Sequence, residues 1–412
     1  MSLPAPLQSL FRVWSYRNYA LFMGGMGPNL VTLWMQRVGV GWLTWELTHS
    51  PVWLGAVAAA DLGPMLLLGP FAGAITDRGN PLRQCRIAQS LFLVQAAVLA
   101  TVTLAGWTTI EILFGLSLLT GCLQPFATTA RHAIVPSIVP RDAFATAIAT
   151  DSALFNGSRF VGPALSGLLI PAVGVGGTFV IHTFGCAVFV TGLCLMRMSP
   201  PDRSQRRRGN LFSDVLESVA YVRGHAGIGP LFLLLTVLSM FIRPIQDMLP
   251  GFAGSVLASD AVGLAWLTSG MGVGAMMSAV SIAVRGGIAG LTRNVIFGTL
   301  GVALAALGFI ATDILWVAVM FSAMIGFTFN SITTGTQTLI QSAIDNDLRG
   351  RIMGLYTLIY RGIPALGALA IGGLAQSFGL RITFAISATL ALGAWALIVP
   401  RWRTIAAAVE RG

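Results

Sequence analysis

The sequence predicts an all-α polytopic membrane protein, in which twelve transmembrane helices form two pseudo-symmetric bundles of six. Of its 412 residues, 55% are hydrophobic and only 10% are charged, whereas soluble proteins carry roughly a quarter charged residues. Apolar runs of about 20 residues recur along the whole chain, and each is long enough to cross a bilayer as a helix. Similar short stretches also occupy matching places in the two halves.

Twelve apolar segments are predicted to cross the membrane and are numbered span 1 to span 12. In order they cover 19–45, 52–75, 84–106, 109–130, 143–172, 175–197, 229–251, 261–284, 294–312, 314–338, 351–376 and 381–400. All 25 cationic residues are arginine, and nearly all arginines outside the spans fall in alternate loops and in the two tails. By the positive-inside rule, this side is cytoplasmic and holds both termini. The net charge of +10 therefore reports topology and not a nucleic-acid partner.

The longest loop, 198–228, divides the chain into an N-terminal bundle, 1–197, and a C-terminal bundle, 229–412. Its first part, PPDRSQRRRGN, is basic. In its second part, apolar residues recur at helical spacing, which predicts an amphipathic helix lying at the cytoplasmic interface: Leu211, Phe212, Val215, Leu216, Val219 and Val222.

The two halves repeat each other. Span 5 contains SRFVGPALSGLL, and span 11 contains IYRGIPALGALA, so that an arginine precedes Pro-Ala-Leu in both. Arg37 in span 1 and Arg243 in span 7 are also separated by about half the chain length. Transporters are commonly built from such repeats, with the substrate site where the halves meet.

The loop after span 2 reads GAITDRGNPLRQ, and its residues Gly73, Asp77, Arg78 and Arg83 resemble the signature of the major facilitator superfamily. The stretches TLWMQRVGVGWLTWELTHSP, ARHAIVPSIVP and LRGRIMGLY are similar to the branch that contains the enterobactin exporter and related drug or siderophore exporters. The resemblance covers nearly the full length and implies the major facilitator fold. The matching loop of the second half, SIAVRGGIAGLTRN, has no aspartate.

This resemblance implies a conformational gate on the cytoplasmic side. Asp77 is expected to face the start of span 11, near Arg349 and Arg351, when that side is closed. A carboxylate is stabilised at a helix N-terminus, because the terminus carries a partial positive charge.

Span 5 also resembles the antiporter motif of drug exporters, through Arg159, Gly162, Pro163 and Gly167. The resemblance implies export. The alternative is close helix packing, since small residues allow two membrane helices to approach each other.

Six ionisable residues lie deep within the predicted spans. A charge at the bilayer centre costs about 2.5–3.5 kcal/mol on insertion scales, so each needs a partner or a water-filled cavity. The four arginines exceed the two aspartates, which predicts a cavity suited to an anionic or partly anionic substrate. Backbone carbonyls and cytoplasmic water could instead satisfy some of the arginines. The six are Arg37, Asp61, Arg159, Arg243, Asp247 and Arg361.

The spacing of these charges predicts two ion pairs. Counted from the turn near Ser50, Arg37 and Asp61 lie at similar depths of about 20 and 17 Å on adjacent antiparallel helices. Arg243 and Asp247 are four residues apart and share a helix face. Asp61 is the preferred proton carrier, because conformational change could break a contact between two helices, and Asp247 and Asp151 are weaker candidates.

Polar side chains on the spans that line the cavity of this fold are candidates for orienting a substrate, together with Arg37, Arg243 and Arg361. Each could equally form a hydrogen bond between helices. They are Asn29, Gln36, Gln124, Gln246 and Asn330.

We therefore expect a secondary transporter of a siderophore-like, drug-like or other amphipathic compound, which works by alternating access and proton-coupled export. Import of a ferric siderophore or organic anion is the alternative, and a membrane-embedded enzyme acting on lipid is a third. The expected partners are the substrate, protons and membrane lipids, with no cofactor, metal or nucleic acid. A monomer in the bacterial cytoplasmic (inner) membrane is expected, and the four cysteines show no metal-site spacing.

Overall fold

The computed structural model describes residues 12–198, 211–344 and 346–410, and this part of the chain is helical, without any strand. The basic stretch 199–210, and Arg411 in the C-terminal tail, lie outside it. The predicted amphipathic helix is present as Leu211–Gly224. Of its apolar side chains, the structure describes Val219 and Val222, which pack against the core of the second half.

Ten helical segments in the described chain are long and apolar enough to span a membrane. One of them, Arg141–Leu195, turns back at Gly174 and supplies two spans. The helix Arg17–Thr48 has 32 residues and supplies the remaining span. Its glycines and its polar residues Asn29, Gln36 and Arg37 make it less apolar than the others.

The helices that form the twelve spans follow the predicted order. Span 1 is Arg17–Thr48, span 2 Pro51–Leu62 with Pro64–Arg78, span 3 Pro81–Leu104, span 4 Ile110–Ile138, and spans 5 and 6 share Phe144–Leu195. Span 7 is Ile228–Val237 with Ile245–Ser255, span 8 Ala261–Arg285, span 9 Leu291–Ile310, span 10 Leu315–Ala343, span 11 Asn346–Phe378 and span 12 Leu380–Ile398.

Two irregular points shape the bundle. Gly174 has φ 70° and ψ 174°, which only glycine adopts readily, and this residue reverses the chain between spans 5 and 6. In span 7 a π-helical turn, Leu238–Ile242, precedes Pro244. Proline lacks an N–H and cannot continue a regular helix ladder. The irregular backbone therefore lies beside Arg243, next to the charged residues of this span.

The halves meet through crossed helix pairs. Span 2 packs on span 11, and span 5 packs on span 8. A two-fold relation between the halves requires this arrangement, because span 2 then corresponds to span 8 and span 5 to span 11. A Cβ added at Gly55 would overlap the carbonyl oxygen of Ala368, and one added at Gly272 would overlap the backbone of Arg159. Both crossings therefore depend on glycine.

One end of this contact between the halves lies at the turn after span 1. There the Ser50 hydroxyl lies 3.0 Å from Oε1 of Gln376 in span 11. Trp45 and Leu54 also belong to the large apolar core, most of which is built from the second half. This end of the bundle is consequently held together by apolar packing across the halves.

Span 4 is longer than predicted. The sequence places its end at residue 130, whereas the helix continues to Ile138. Two prolines, Pro125 and Pro136, lie inside the helix, and membrane helices tolerate proline better than soluble ones do. The correction matters because it moves Arg131 from a loop into a membrane helix.

Glu410 ties the C-terminal tail to the start of span 9. Its carboxylate accepts hydrogen bonds from the backbone N–H of Gly290 at 2.8 Å and of Thr292 at 2.7 Å. Partial burial opposes the charge, but the hydrogen bonds from Thr292 and Gly290 outweigh it, so the pKa of Glu410 is lowered. The carboxylate therefore caps a helix N-terminus.

Replacing Glu410 with glutamine should destabilise the protein by about 1 kcal/mol at neutral pH, in the range of other helix caps. Because the folded-state pKa is lowered, the stabilisation is present above the unfolded-state pKa and disappears as the pH falls through the folded-state value. Thermal unfolding in detergent from pH 7 to pH 3 measures this. The exposed Glu46 offers the matched control, Glu46→Gln, for which the difference should be near zero at every pH.

Candidate functional site

Two large cavities lie between the helices, with a smaller one of about 310 Å³ beside them. The larger of the two, called the arginine chamber, comprises about 1470 Å³ of empty space, part of it open to solvent. Among its lining residues are five arginines and a single carboxylate, that of Asp61. The wall thus carries an excess of four positive charges, and aromatic side chains complete it. The arginines are Arg37, Arg131, Arg159, Arg243 and Arg361, and the aromatic residues are Trp34, Phe92, Phe155, Phe189 and Tyr360.

The second cavity, called the glutamine chamber, encloses about 1030 Å³. It is lined by Gln36, Gln95 and Gln246, several hydroxyl groups, and two arginines balanced by two aspartates. Its wall is therefore polar but close to neutral. The two chambers share a boundary formed by Leu33, Trp34, Arg37, Asp61, Leu62 and Arg243.

The predicted contact between Arg37 and Asp61 is present at this boundary. Arg37 donates a hydrogen bond to Oδ2 of Asp61 at 3.1 Å, and 35% and 23% of the two side chains are exposed. The Arg37 guanidinium also lies 5.0 Å from the centroid of the Trp34 ring, within cation–π range. A single arginine thus contacts a carboxylate of another helix and an aromatic wall.

The second predicted pair, Arg243 and Asp247, is also present but looser. Nη1 of Arg243 and Oδ2 of Asp247 are 3.7 Å apart. Both atoms are buried and form no hydrogen bond within the described chain. The two ion pairs therefore differ, because Asp61 is hydrogen-bonded to an arginine on another helix whereas Asp247 has only a weak contact within its own helix.

Three arginines of the arginine chamber have no carboxylate within ion-pair distance among the described residues. Arg159 lies 5.5 Å from the centroid of the Trp34 ring. Arg131 donates to Sδ of Met26 at 3.7 Å, and its buried Nε has no hydrogen-bond partner in the described chain. Arg361 lines the chamber together with Arg131. These three side chains account for most of the uncompensated charge.

Sequence reasoning missed Arg131, because span 4 was taken to end at residue 130. The spacing of Gln124, Thr128 and Arg131 could have found it. Residues four and seven positions apart share one helix face, and Gln124 was already a candidate. All three line the arginine chamber.

The predicted polar residues divide between the chambers. Asn29 and Gln124 line the arginine chamber, and Gln36 and Gln246 line the glutamine chamber. Asn330 lies outside both; its amide donates to the Ala275 carbonyl and the Ser278 hydroxyl, each at 3.2 Å. Asn330 thus forms a hydrogen bond between helices, the alternative for this group, and also lines the smaller cavity with Arg159, Arg243 and Gln246.

A buried polar cluster that was not among the predicted site residues lies in the wall of the arginine chamber. The hydroxyl of Thr32 donates to the Pro28 carbonyl at 3.0 Å and lies 3.0 Å from Nδ1 of His182. On the other side of the ring, Nε2 of His182 lies 3.4 Å from Sγ of Cys186. The ring of His182 is held in place on both sides.

The remaining predicted residues lie away from the chambers. Gly73 belongs to the second helix of span 2, and Asp77, Arg78 and Arg83 are exposed around the loop that follows it. Arg351 is exposed as well, while Arg349 donates to the Ile344 carbonyl at 3.4 Å. Asp151 does not line either chamber.

The small residues of the span 5 motif are packing positions in the structure. A Cβ at Gly162 would overlap Trp34 and the backbone of Val31 in span 1. Gly167 faces Ala265 of span 8, where an added Cβ would lie 3.2 Å from that of Ala265. The motif therefore holds Trp34, which separates the two chambers, against span 5.

A family model described as transmembrane secretion effector matches residues 14–410 of the chain. The multidrug efflux pump Tap of Mycolicibacterium fortuitum is 26% identical over 400 residues, which cover 94% of this chain and 95% of that one. The staphyloferrin A transporter of Staphylococcus aureus is 24% identical over 377 residues, covering 90% of each chain.

Among solved structures, the fold matches a bacterial homologue of the human lysosomal transporter Spinster in an inward-facing and occupied conformation. The TM-score is 0.72, at 14% sequence identity, and the match covers 94% of this chain and 97% of that chain. At this identity the likeness establishes the fold alone. It confirms the predicted major facilitator architecture.

Proposed function

Because the chain belongs to the transmembrane secretion effector family of major facilitator transporters, we propose that it exports a small, negatively charged amphipathic compound across the bacterial cytoplasmic membrane. It is a multi-pass secondary transporter and not an enzyme. The observation that carries the proposal is the arginine chamber, whose wall combines five arginines with one carboxylate and five aromatic rings. An anion with an apolar body matches both the charge and the surface of this wall.

Export is supported by the relatives and by span 5. Tap is named as an efflux pump, and the span 5 motif resembles that of exporters. The small residues of the motif pack span 5 against spans 1 and 8, which places them where the halves would move relative to each other. The two halves are the proposed bundles 1–197 and 229–412, which the segment 198–228 connects.

Asp61 is the proposed proton carrier. An anion that takes Arg37 from Asp61 leaves this carboxylate without its counter-charge, and so favours its protonation. Conversely, a protonated Asp61 releases Arg37 for the anion. Binding of the anion and of the proton therefore support each other, and we propose that both move in the same direction. The span 5 motif instead implies antiport, in which a proton is exchanged for the substrate. In that case the proton and the anion would bind alternately and not together.

Import of an organic anion or ferric siderophore is a second candidate, favoured by the same contact between Arg37 and Asp61. Joint binding of an anion and a proton also serves an importer that is driven by the inward proton gradient. The number of charges moved decides between the two directions. A substrate with more negative charges than accompanying protons is expelled by a membrane potential that is negative inside.

The proposed orientation places both termini and the arginine-rich loops in the cytoplasm. The gate proposed for that side consists of the residues around Asp77 and the start of span 11, with Arg349 and Arg351. On the opposite side, the contact between Ser50 and Gln376 closes the bundle in this structure. Alternating access would open one side while it closes the other, and a monomer is sufficient for that cycle.

Direction can be tested with a dye that carries at least two negative charges, in vesicles everted from the cytoplasmic membrane and in intact cells. Accumulation in energised everted vesicles that contain the transporter, and lower dye content in intact cells that express it, is the expected result. Higher dye content in the cells and none in the vesicles would establish import. Vesicles without the transporter give the background.

A further inference from the structure

The arginines of the arginine chamber are spread along the membrane normal. Depth can be estimated from the helix end nearest to Ser50, at about 1.5 Å per residue. Arg37, Arg243 and Arg159 then lie at roughly 17, 18 and 21 Å, and Arg361 and Arg131 at roughly 26 and 32 Å. The positive charge therefore forms a ladder about 15 Å long.

The two ends of this ladder differ in whether carboxylates neutralise the arginine charges. At the boundary with the glutamine chamber, Arg37 contacts Asp61 and Arg243 contacts Asp247. At the other end, neither Arg131 nor Arg361 has a carboxylate within ion-pair distance in the described part of the chain. When Asp61 carries the proposed proton, Arg37 also loses its counter-charge, and a substrate with a single negative charge would then leave at least one end of the ladder uncompensated.

Burying unpaired charges is costly in a membrane protein. Water in the chamber can solvate the arginines before substrate enters, but an amphipathic substrate displaces that water. The substrate must then replace the lost solvation with its own charges, because a buried cation without a partner is strongly destabilising. Charge groups at both ends of the substrate would meet this need.

We propose that the substrate is a polyanion, with at least two carboxylate, phosphate or sulfonate groups separated by an aromatic or apolar body. One group binds Arg131 and Arg361, and another binds near Arg37 and Arg243, while the body lies against Trp34 and the other rings. This rests on the proposed function and narrows its substrate class. The substrate then carries more negative charge than one proton on Asp61 balances, so its transport moves net negative charge.

Three pyrene dyes test the proposal, because they share one aromatic body and differ in charge: 1-pyrenesulfonate, 1,3,6,8-pyrenetetrasulfonate and 1-pyrenemethylammonium. Binding to the purified protein is measured by fluorescence anisotropy at constant ionic strength, with protein-free micelles subtracted. The tetrasulfonate should bind at least tenfold more tightly than the monosulfonate. The cationic dye should bind most weakly.

Substitutions of single arginines show which of them cause the tighter binding of the tetrasulfonate. Arg131→Gln and Arg361→Gln should each reduce the advantage of the tetrasulfonate about tenfold, with little effect on the monosulfonate, because a desolvated charge contact is worth about 1.4 kcal/mol or more. Arg131→Lys should retain most of the preference for the tetrasulfonate over the monosulfonate. This result would also show that the protein folds with a different side chain at this position. Arg285→Gln is the matched control, since Arg285 is exposed, lies outside both chambers and donates to the nearby Ala289 carbonyl.

The outcomes separate the two proposals. Equal affinities for the two anions would contradict the polyanion proposal. The same holds if the double variant Arg131→Gln/Arg361→Gln still binds the tetrasulfonate more tightly than the monosulfonate. In both cases the proposed transport of an anion would still stand. Preference for the cationic dye over both anions would overturn the proposed function as well.

Discussion

Replacing Asp61 with asparagine is expected to remove the pH dependence of anion binding. In the wild-type protein, Asp61 competes with the substrate for Arg37, which it contacts at 3.1 Å. Affinity for the tetrasulfonate should therefore rise as the pH falls and Asp61 becomes protonated. Asparagine imitates the protonated carboxyl, so the variant should bind about tenfold more tightly at neutral pH, equivalent to about 1.4 kcal/mol, and equally at all pH values.

The matched control for this substitution is Asp313→Asn. Asp313 pairs with Arg381 in a solvent-exposed contact outside both chambers. Loss of that pair should leave the affinity and its pH profile unchanged. If the Asp61 variant kept the wild-type pH profile, another group would carry the proton, and Asp247→Asn would be the next variant to measure.

Replacing Gly55 with valine is expected to reduce transport at least tenfold without unfolding either bundle. A Cβ added at Gly55 would overlap the carbonyl oxygen of Ala368 and would lie 3.4 Å from Cα of Gly372 in span 11. A valine side chain would hold spans 2 and 11 apart, so that the end of the bundle near Ser50 could not close. Because the contact joins the two halves, packing within each half is preserved.

Closure at this end can be measured directly. The side-chain oxygens of Ser50 and Gln376 are 3.0 Å apart, so cysteines at the two positions should cross-link in an otherwise cysteine-free protein. Gly55→Val should lower the yield of that disulfide together with the transport rate. Gly115→Val is the control, because a Cβ at Gly115 meets no atom within 4 Å. An unchanged cross-link in the Gly55 variant would contradict the proposed closure.

The sequence was sufficient to predict the twelve spans and both ion pairs, for a physical reason. Charges are so costly in the bilayer that an arginine marks the cytoplasmic side, a charged partner or a polar cavity. The depth of Arg37 and Asp61 follows from helix rise alone, and their contact in the structure agrees with it. Features that follow from the energetics of the membrane, such as the spans and the ion pairs, can therefore be predicted from a single sequence.

Features that depend on how helices cross were not predictable. Nothing in the sequence indicates that Gly55 meets Ala368, since this approach is set by the relative placement of the two halves. The continuation of span 4 through Arg131 was missed because a charged residue after an apolar run normally marks a helix end. In span 4, Arg131 lines a cavity instead, so the helix continues past a charged residue that would normally mark its end.

The central claim, export of net negative charge through the arginine chamber, is tested most directly by driving transport with potential alone. Everted vesicles with a low internal potassium concentration are diluted into high potassium with valinomycin, at equal pH on both sides. The interior becomes positive, and the vesicles should accumulate 1,3,6,8-pyrenetetrasulfonate, whereas those with the Arg131→Gln/Arg361→Gln variant should not. Accumulation only when the interior is made negative, or equal accumulation by the variant, would contradict the account.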